Sequence, residues 1–133
     1  MADRRLELLA QVPLFAGSSK RQLRGILEWT KEYRYKPGAT IVQEGARGKE
    51  LFVLLEGKAT VSRNGKTVTR LAAGDFFGEM SVIDGRPRTA TVVADEPVDC
   101  LVLKQADFRA LLEGDPSMAW NLLGAFAARL RTD

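Results

Sequence analysis

The sequence predicts a mainly β domain, a small barrel or jelly roll, with helices at both ends. Three observations predict it. Between Tyr33 and Lys104, short runs of Val, Ile, Thr and Leu are separated by Gly38, Gly45, Gly57, Gly65, Gly74 and Gly85, the spacing of strands and turns. Within that region Asn64-Gly65 marks a two-residue type I′ hairpin. Outside it, apolar residues recur at the helical period. A chain of 133 residues that is 45% hydrophobic is long enough to bury a core without disulfides or metal, and reads as one domain over 1–133.

The elements follow in order. Helices occupy residues 1–32, with Leu6, Leu9 and Val12 on one stripe and, after a break at Pro13 and Gly17, Leu23, Ile26 and Leu27 on the next. Ser19-Lys20-Arg21-Gln22 reads as a capping box opening the second helix. The β region spans 33–104, with predicted strands at Thr40–Gln43, Leu51–Leu55, Ala59–Arg63, Thr67–Leu71, Thr89–Ala94 and Val98–Leu103. Helices return over 105–133. Phe108, Leu111 and Leu112 form a short one, and Asp115-Pro116 supplies a cap and a first-turn proline for the last. That helix carries Met118, Leu122, Phe126 and Leu130 four apart, with Trp120, Leu123 and Ala127 widening the face, all read as packing.

Composition narrows the function. Twenty Lys and Arg against 17 Asp and Glu leave a net charge of only +3, with both signs mixed along the chain, which argues against direct nucleic-acid binding. The chain has no histidine, so the usual general base and the commonest zinc ligand are both missing. The single Cys100 sits in the apolar run Val98–Leu103 and reads as a buried, inert thiol. No stretch has the length of a membrane span, and the N-terminal residues lead into an amphipathic segment, not a signal core. A cytoplasmic, non-enzymatic protein without cofactor or metal is the expectation.

One stretch, residues 74–90, breaks the β pattern. A single helical turn from Gly78 to Ile83, entered through glycine, points main-chain N–H groups at one spot, which suits a phosphate. Arg88, nine residues after Glu79, can return a planar fork of donors to the same spot. Glu79 on the first turn can accept from a sugar hydroxyl. These groups imply a small ligand with a phosphate and a free ribose hydroxyl. The competing reading is an ion pair between Glu79 and Arg88 that staples a loop, worth about 0–1 kcal/mol at a surface.

Phe77-Gly78-Glu79-Met80-Ser81 followed by Pro87-Arg88-Thr89-Ala90 closely resembles the phosphate-binding cassette of the cyclic nucleotide-binding domain family. Val12-Pro13-Leu14-Phe15, Pro37-Gly38, Glu44-Gly45, Leu51–Gly57 and Gly74-Asp75-Phe76 are similar to that family's framework, so the resemblance covers nearly the whole chain. It implies an eight-stranded β-roll with an N-terminal helical bundle and C-terminal helices, and cAMP or cGMP as ligand. By the same resemblance Glu79 would accept the ribose 2′-hydroxyl and Arg88 would pair with the cyclic phosphate. The main chain of Gly78 and Ser81, within the Gly78-Glu79-Met80-Ser81 turn, and Thr89 would complete the cradle. Val61 and Val68 would wall the purine, although a valine in a roll is as readily a core residue. Thr89 is a residue type associated with cGMP preference, yet members with Thr there also bind cAMP, and cAMP is the expected ligand.

The expected role is a sensor that converts nucleotide occupancy into movement of its C-terminal helices. Those helices are also the expected surface for a homodimer or an effector. In related transcription factors the last helix runs on and caps the base. Here the sequence ends at Asp133 with no helix-turn-helix, Arg129 and Arg131 being the polar candidates near that end, so a stand-alone sensor or one domain of a larger channel, kinase or regulator is expected. The rivals are a cupin-like enzyme, which needs metal ligands, and an interaction domain of the same fold without a ligand.

Overall fold

The capping chemistry expected at Ser19 opens the second helix, α2 (Lys20–Trp29). Ser19 Oγ accepts from the Gln22 amide at 3.1 Å, and Gln22 Oε1 accepts from the Ser19 amide at 2.7 Å. The computed structural model describes residues 3–132; Met1, Ala2, Asp133 and the side chains of Arg129 and Thr132 lie outside the described residues. The first helix, α1, runs Arg4–Ala10, and the break at Pro13 is a 3-10 turn, Pro13–Phe15, that buries Leu14 and Phe15.

Eight strands follow: β1 (Lys31–Tyr35), β2 (Thr40–Val42), β3 (Glu50–Glu56), β4 (Ala59–Arg63), β5 (Lys66–Leu71), β6 (Phe76–Phe77), β7 (Thr91–Ala94) and β8 (Val98–Lys104). They form two four-stranded antiparallel sheets, ordered β1-β8-β3-β6 and β2-β7-β4-β5. Asn64 and Gly65 both have positive φ, 54° and 77°, as a type I′ turn requires. Between β6 and β7 lies α3 (Glu79–Asp84), and after β8 come α4 (Gln105–Gly114) and α5 (Pro116–Thr132).

Alternation along the first sheet builds two cores, because successive side chains leave a strand on opposite faces. Leu51, Val53 and Leu55 of β3 with Leu101 and Leu103 of β8 pack against Leu9, Phe15, Ile26, Phe108, Met118 and Leu122 of the helices. Phe52, Leu54, Val98 and Cys100 face the other way, into the roll, against Ala59, Val92 and Ala94. The Asn121 side chain locks α5 to the 3-10 turn by donating to Leu14 O at 3.2 Å and Ala16 O at 3.1 Å.

Four expectations are corrected. The helical region ends before residue 32, because Lys31–Tyr35 is an edge strand paired with β8; its charged residues are those that edge strands carry. Phe76–Phe77 is an eighth strand, too short to read as one. The predicted strand Thr89–Ala94 begins only at Thr91, since Thr89 and Ala90 form a bend. Most of the widened face of α5 is uncovered: Trp120 is 74% exposed and Leu130 77%, with Leu123 also exposed. A step of four residues exceeds one turn by roughly 40°, so a stripe that starts at buried Met118 has rotated out of the core by Leu130.

Candidate functional site

Gly78 joins β6 to α3 with φ +88°, a conformation open to glycine and costly for other residues. A Cβ added there would lie 2.7 Å from Glu50 O and 2.8 Å from Arg88 Nη1. The position is therefore constrained twice, by its own backbone and by what packs on it. The first helical bond of α3 runs from the Val82 amide to Gly78 O at 3.3 Å. The amides of Glu79, Met80 and Ser81 thus precede the helix's own bonding pattern, where a helix offers donors to an anion.

Arg88 is fixed at both ends. Its main chain is bracketed by the β2–β3 loop, the amide donating to Ala46 O and the carbonyl accepting from the Gly45 amide, each at 2.8 Å. Its side chain turns inward and is 6% exposed as a residue. Nη1 donates to Gly78 O at 3.1 Å and Nη2 to Glu50 O at 3.0 Å, while Glu50 Oε2 lies 3.7 Å from Nη2. The guanidinium carbon stands 5.7 Å from the centroid of Phe52, within cation–π range. Phe52 in turn stacks on Phe77, with centroids 4.9 Å apart and rings within 3° of parallel. Burial pushes the Arg88 pKa below its ordinary value, against the opposing pull of the Glu50 and Glu79 charges. A desolvated cation of this kind gains from an anion delivered to it.

Arg88 is thus brought onto Gly78, and Glu79 and Ser81 of the adjoining turn are both buried. Met80 and Thr89 are exposed at their positions. The Thr89 main-chain carbonyl accepts from Arg63 Nε of β4 at 3.0 Å. Val61 faces the roll core from β4. Val68 is 54% exposed and occupies a bulge: β4 and β5 pair Val61 with Thr69 but Ser62 with Thr67, so Val68 has no opposite residue. A bulge re-aims a side chain.

Sequence reasoning missed Gly48, Glu50 and Phe52. They line a cavity of about 160 Å³ beside Arg88, together with Ile41 and Ala46. A Cβ at Gly48 would meet Arg88 Nη2 at 2.7 Å, yet nothing nearby in the sequence marks it among the 12 glycines. Among the described residues no group of three or more His, Cys, Asp or Glu could hold a metal. Nor is any described helix long and apolar enough to cross a membrane.

The two-sheet roll thus carries a buried arginine, a buried glutamate and a short glycine-entered helix at one end. The family model of the cyclic nucleotide-binding domain matches residues 32–115, and the chain belongs to that family. It is 38% identical over 116 residues to a cyclic nucleotide-gated potassium channel of Rhizobium etli, covering 87% of this chain and 32% of the channel. It is 33% identical over 124 residues to the cyclic AMP receptor protein of Thermus thermophilus, covering 90% and 57%. The crystal structure of Thermus thermophilus catabolite activator protein superposes with a TM-score of 0.84 at 34% identity, over 90% of this chain and 59% of that one. The chain thus spans about a third of the channel's length and over half of the receptor's.

Proposed function

We propose that this cyclic nucleotide-binding domain is a sensor for cAMP, with cGMP as the alternative ligand, and that occupancy moves its C-terminal helices. The observation that carries the reading is the buried Arg88, held beside Gly78 and under the charge of Glu79. In this reading Arg88 and the α3 amides from Glu79 to Ser81 take the cyclic phosphate, and Glu79 takes the ribose 2′-hydroxyl. Val61 and Val68 flank the purine, with Met80 and Thr89 at the rim. The name of the Thermus relative supports cAMP. The name of a cGMP-dependent protein kinase of Eimeria tenella, 37% identical over 71% of this chain, supports the alternative.

Two links support the proposed coupling. Gln105 Nε2, at the start of α4, donates to Val82 O in α3 at 2.6 Å. Val82 also belongs to the core that holds Phe108, Met118 and Leu122. Drawing α3 toward a bound phosphate therefore pulls on the seat of α4 and α5, and a ligand that prefers the moved state shifts the population toward it. The exposed Trp120, Leu123 and Leu130 support α5 as the surface that meets an effector or a second copy.

Thermal denaturation with cAMP, cGMP and AMP tests the reading. At a hundredfold excess over Kd, the preferred cyclic nucleotide raises the melting temperature by about 10 °C. AMP, with its open and more charged phosphate, raises it much less. No shift with either cyclic nucleotide, or an equal shift with AMP, contradicts the proposal.

A further inference from the structure

We infer that Glu50 is an internal rival of the ligand anion: its carboxylate pairs with Arg88 in the empty site and must yield the guanidinium before a phosphate takes it. The inference rests on reading the site as a cyclic nucleotide pocket. Glu50 begins β3 and presents two oxygens to one nitrogen of Arg88. The main-chain oxygen accepts from Nη2 at 3.0 Å, and side-chain Oε2 lies 3.7 Å from the same Nη2.

The two partners differ in freedom. The Arg88 side chain is 5% exposed and the Glu50 side chain 45%. The cation is walled by glycines, since a Cβ at Gly48 or Gly78 would stand 2.7 Å from Nη2 or 2.8 Å from Nη1. The guanidinium therefore stays, and the half-exposed carboxylate is the group able to leave. It also has a place to go. Glu50 lines both the cavity beside Arg88 and a cleft of about 630 Å³ whose walls include Lys31, Lys49 and Lys104.

A phosphodiester and a carboxylate on one guanidinium repel each other, so part of the ligand's attraction is spent in moving Glu50. While the site is empty the same carboxylate neutralises a buried cation, which is expensive to leave unpaired. Glu50 thus sets the nucleotide concentration at which the domain responds, without touching the nucleotide itself.

The test is calorimetric titration of the wild type, Glu50→Gln and Glu50→Asp with cAMP and cGMP, alongside melting without ligand. Glu50→Gln keeps the main-chain bond and removes the charge, so Kd for the preferred nucleotide falls by about three- to tenfold. The gain is larger than in Glu50→Asp, which keeps the charge. Melting without ligand does not rise in Glu50→Gln. A purely structural role lowers the melting temperature and leaves Kd unchanged or weaker; with a wild type that binds, that result overturns this inference alone. Binding by neither protein overturns the reading of the site and this inference together.

Discussion

The two faces of the sheet β1-β8-β3-β6 are built from the same strands and do opposite work. On the helix side, Leu51, Val53, Leu55, Leu101 and Leu103 are buried in an apolar layer with the helices. On the roll side, Phe52, Leu54, Val98 and Cys100 give an apolar floor. At one end of that floor sits Arg88, with Glu50 against it and a cavity beside it. Neighbouring residues of one strand thus serve two separate cores, through the two-residue period of the pleat, and the proposed ligand site lies at the end of the roll-side one. A one-residue slip of β3 would exchange the two sets.

The largest effect expected on this contrast comes from the closed face. Leu101→Ala removes a buried side chain from the helix-side core and lowers unfolding free energy by about 2–5 kcal/mol in denaturant titrations, while the folded fraction keeps its nucleotide affinity. On the open face, Gly48→Ala drives a methyl against the guanidinium. It costs about 1–3 kcal/mol of stability and, unlike Leu101→Ala, also weakens nucleotide binding. Equal loss of binding in both variants would break the division.

A smaller effect sharpens it. Burial pushes the Cys100 thiol up to about 12, with the Asp99 charge adding to the shift. The unfolded thiol ionises near pH 8.5. Because the folded-state pKa is the raised one, stability holds below the unfolded value and falls as pH climbs toward 12, by at most about 1.4 kcal/mol per pH unit. Burial raises Tyr35 as well and acts in the same direction. Melting between pH 8 and 11 checks this, with Cys100→Ala flattening the slope. The same burial predicts that the native thiol resists alkylation at pH 8 until the roll unfolds.

How much of this was legible follows from where each signal lies along the chain. The roll was readable because its glycine turns and β-branched runs are local. The α3 turn and Arg88 were readable because they fall within one stretch of a dozen residues, and the family resemblance supplied their roles. β1 was not, since an edge strand alternates tyrosines with charges and two-residue periodicity hides there. Trp120 was misjudged because helical spacing shows that a face exists, not that something covers it. Gly48 and Glu50 escaped because the Arg88–Glu50 approach joins residues 38 apart, a juxtaposition that exists only once the roll has closed.

The most direct measurement is the affinity of Arg88→Ala for cAMP and cGMP, by calorimetry, beside its melting temperature without ligand. The account predicts that the wild type binds one of them saturably. In the variant, affinity falls by about thirtyfold or more, the loss expected when one member of a buried charge pair is removed, while the variant still melts cooperatively. A variant that binds the nucleotide as tightly as the wild type would place the ligand elsewhere and contradict the account.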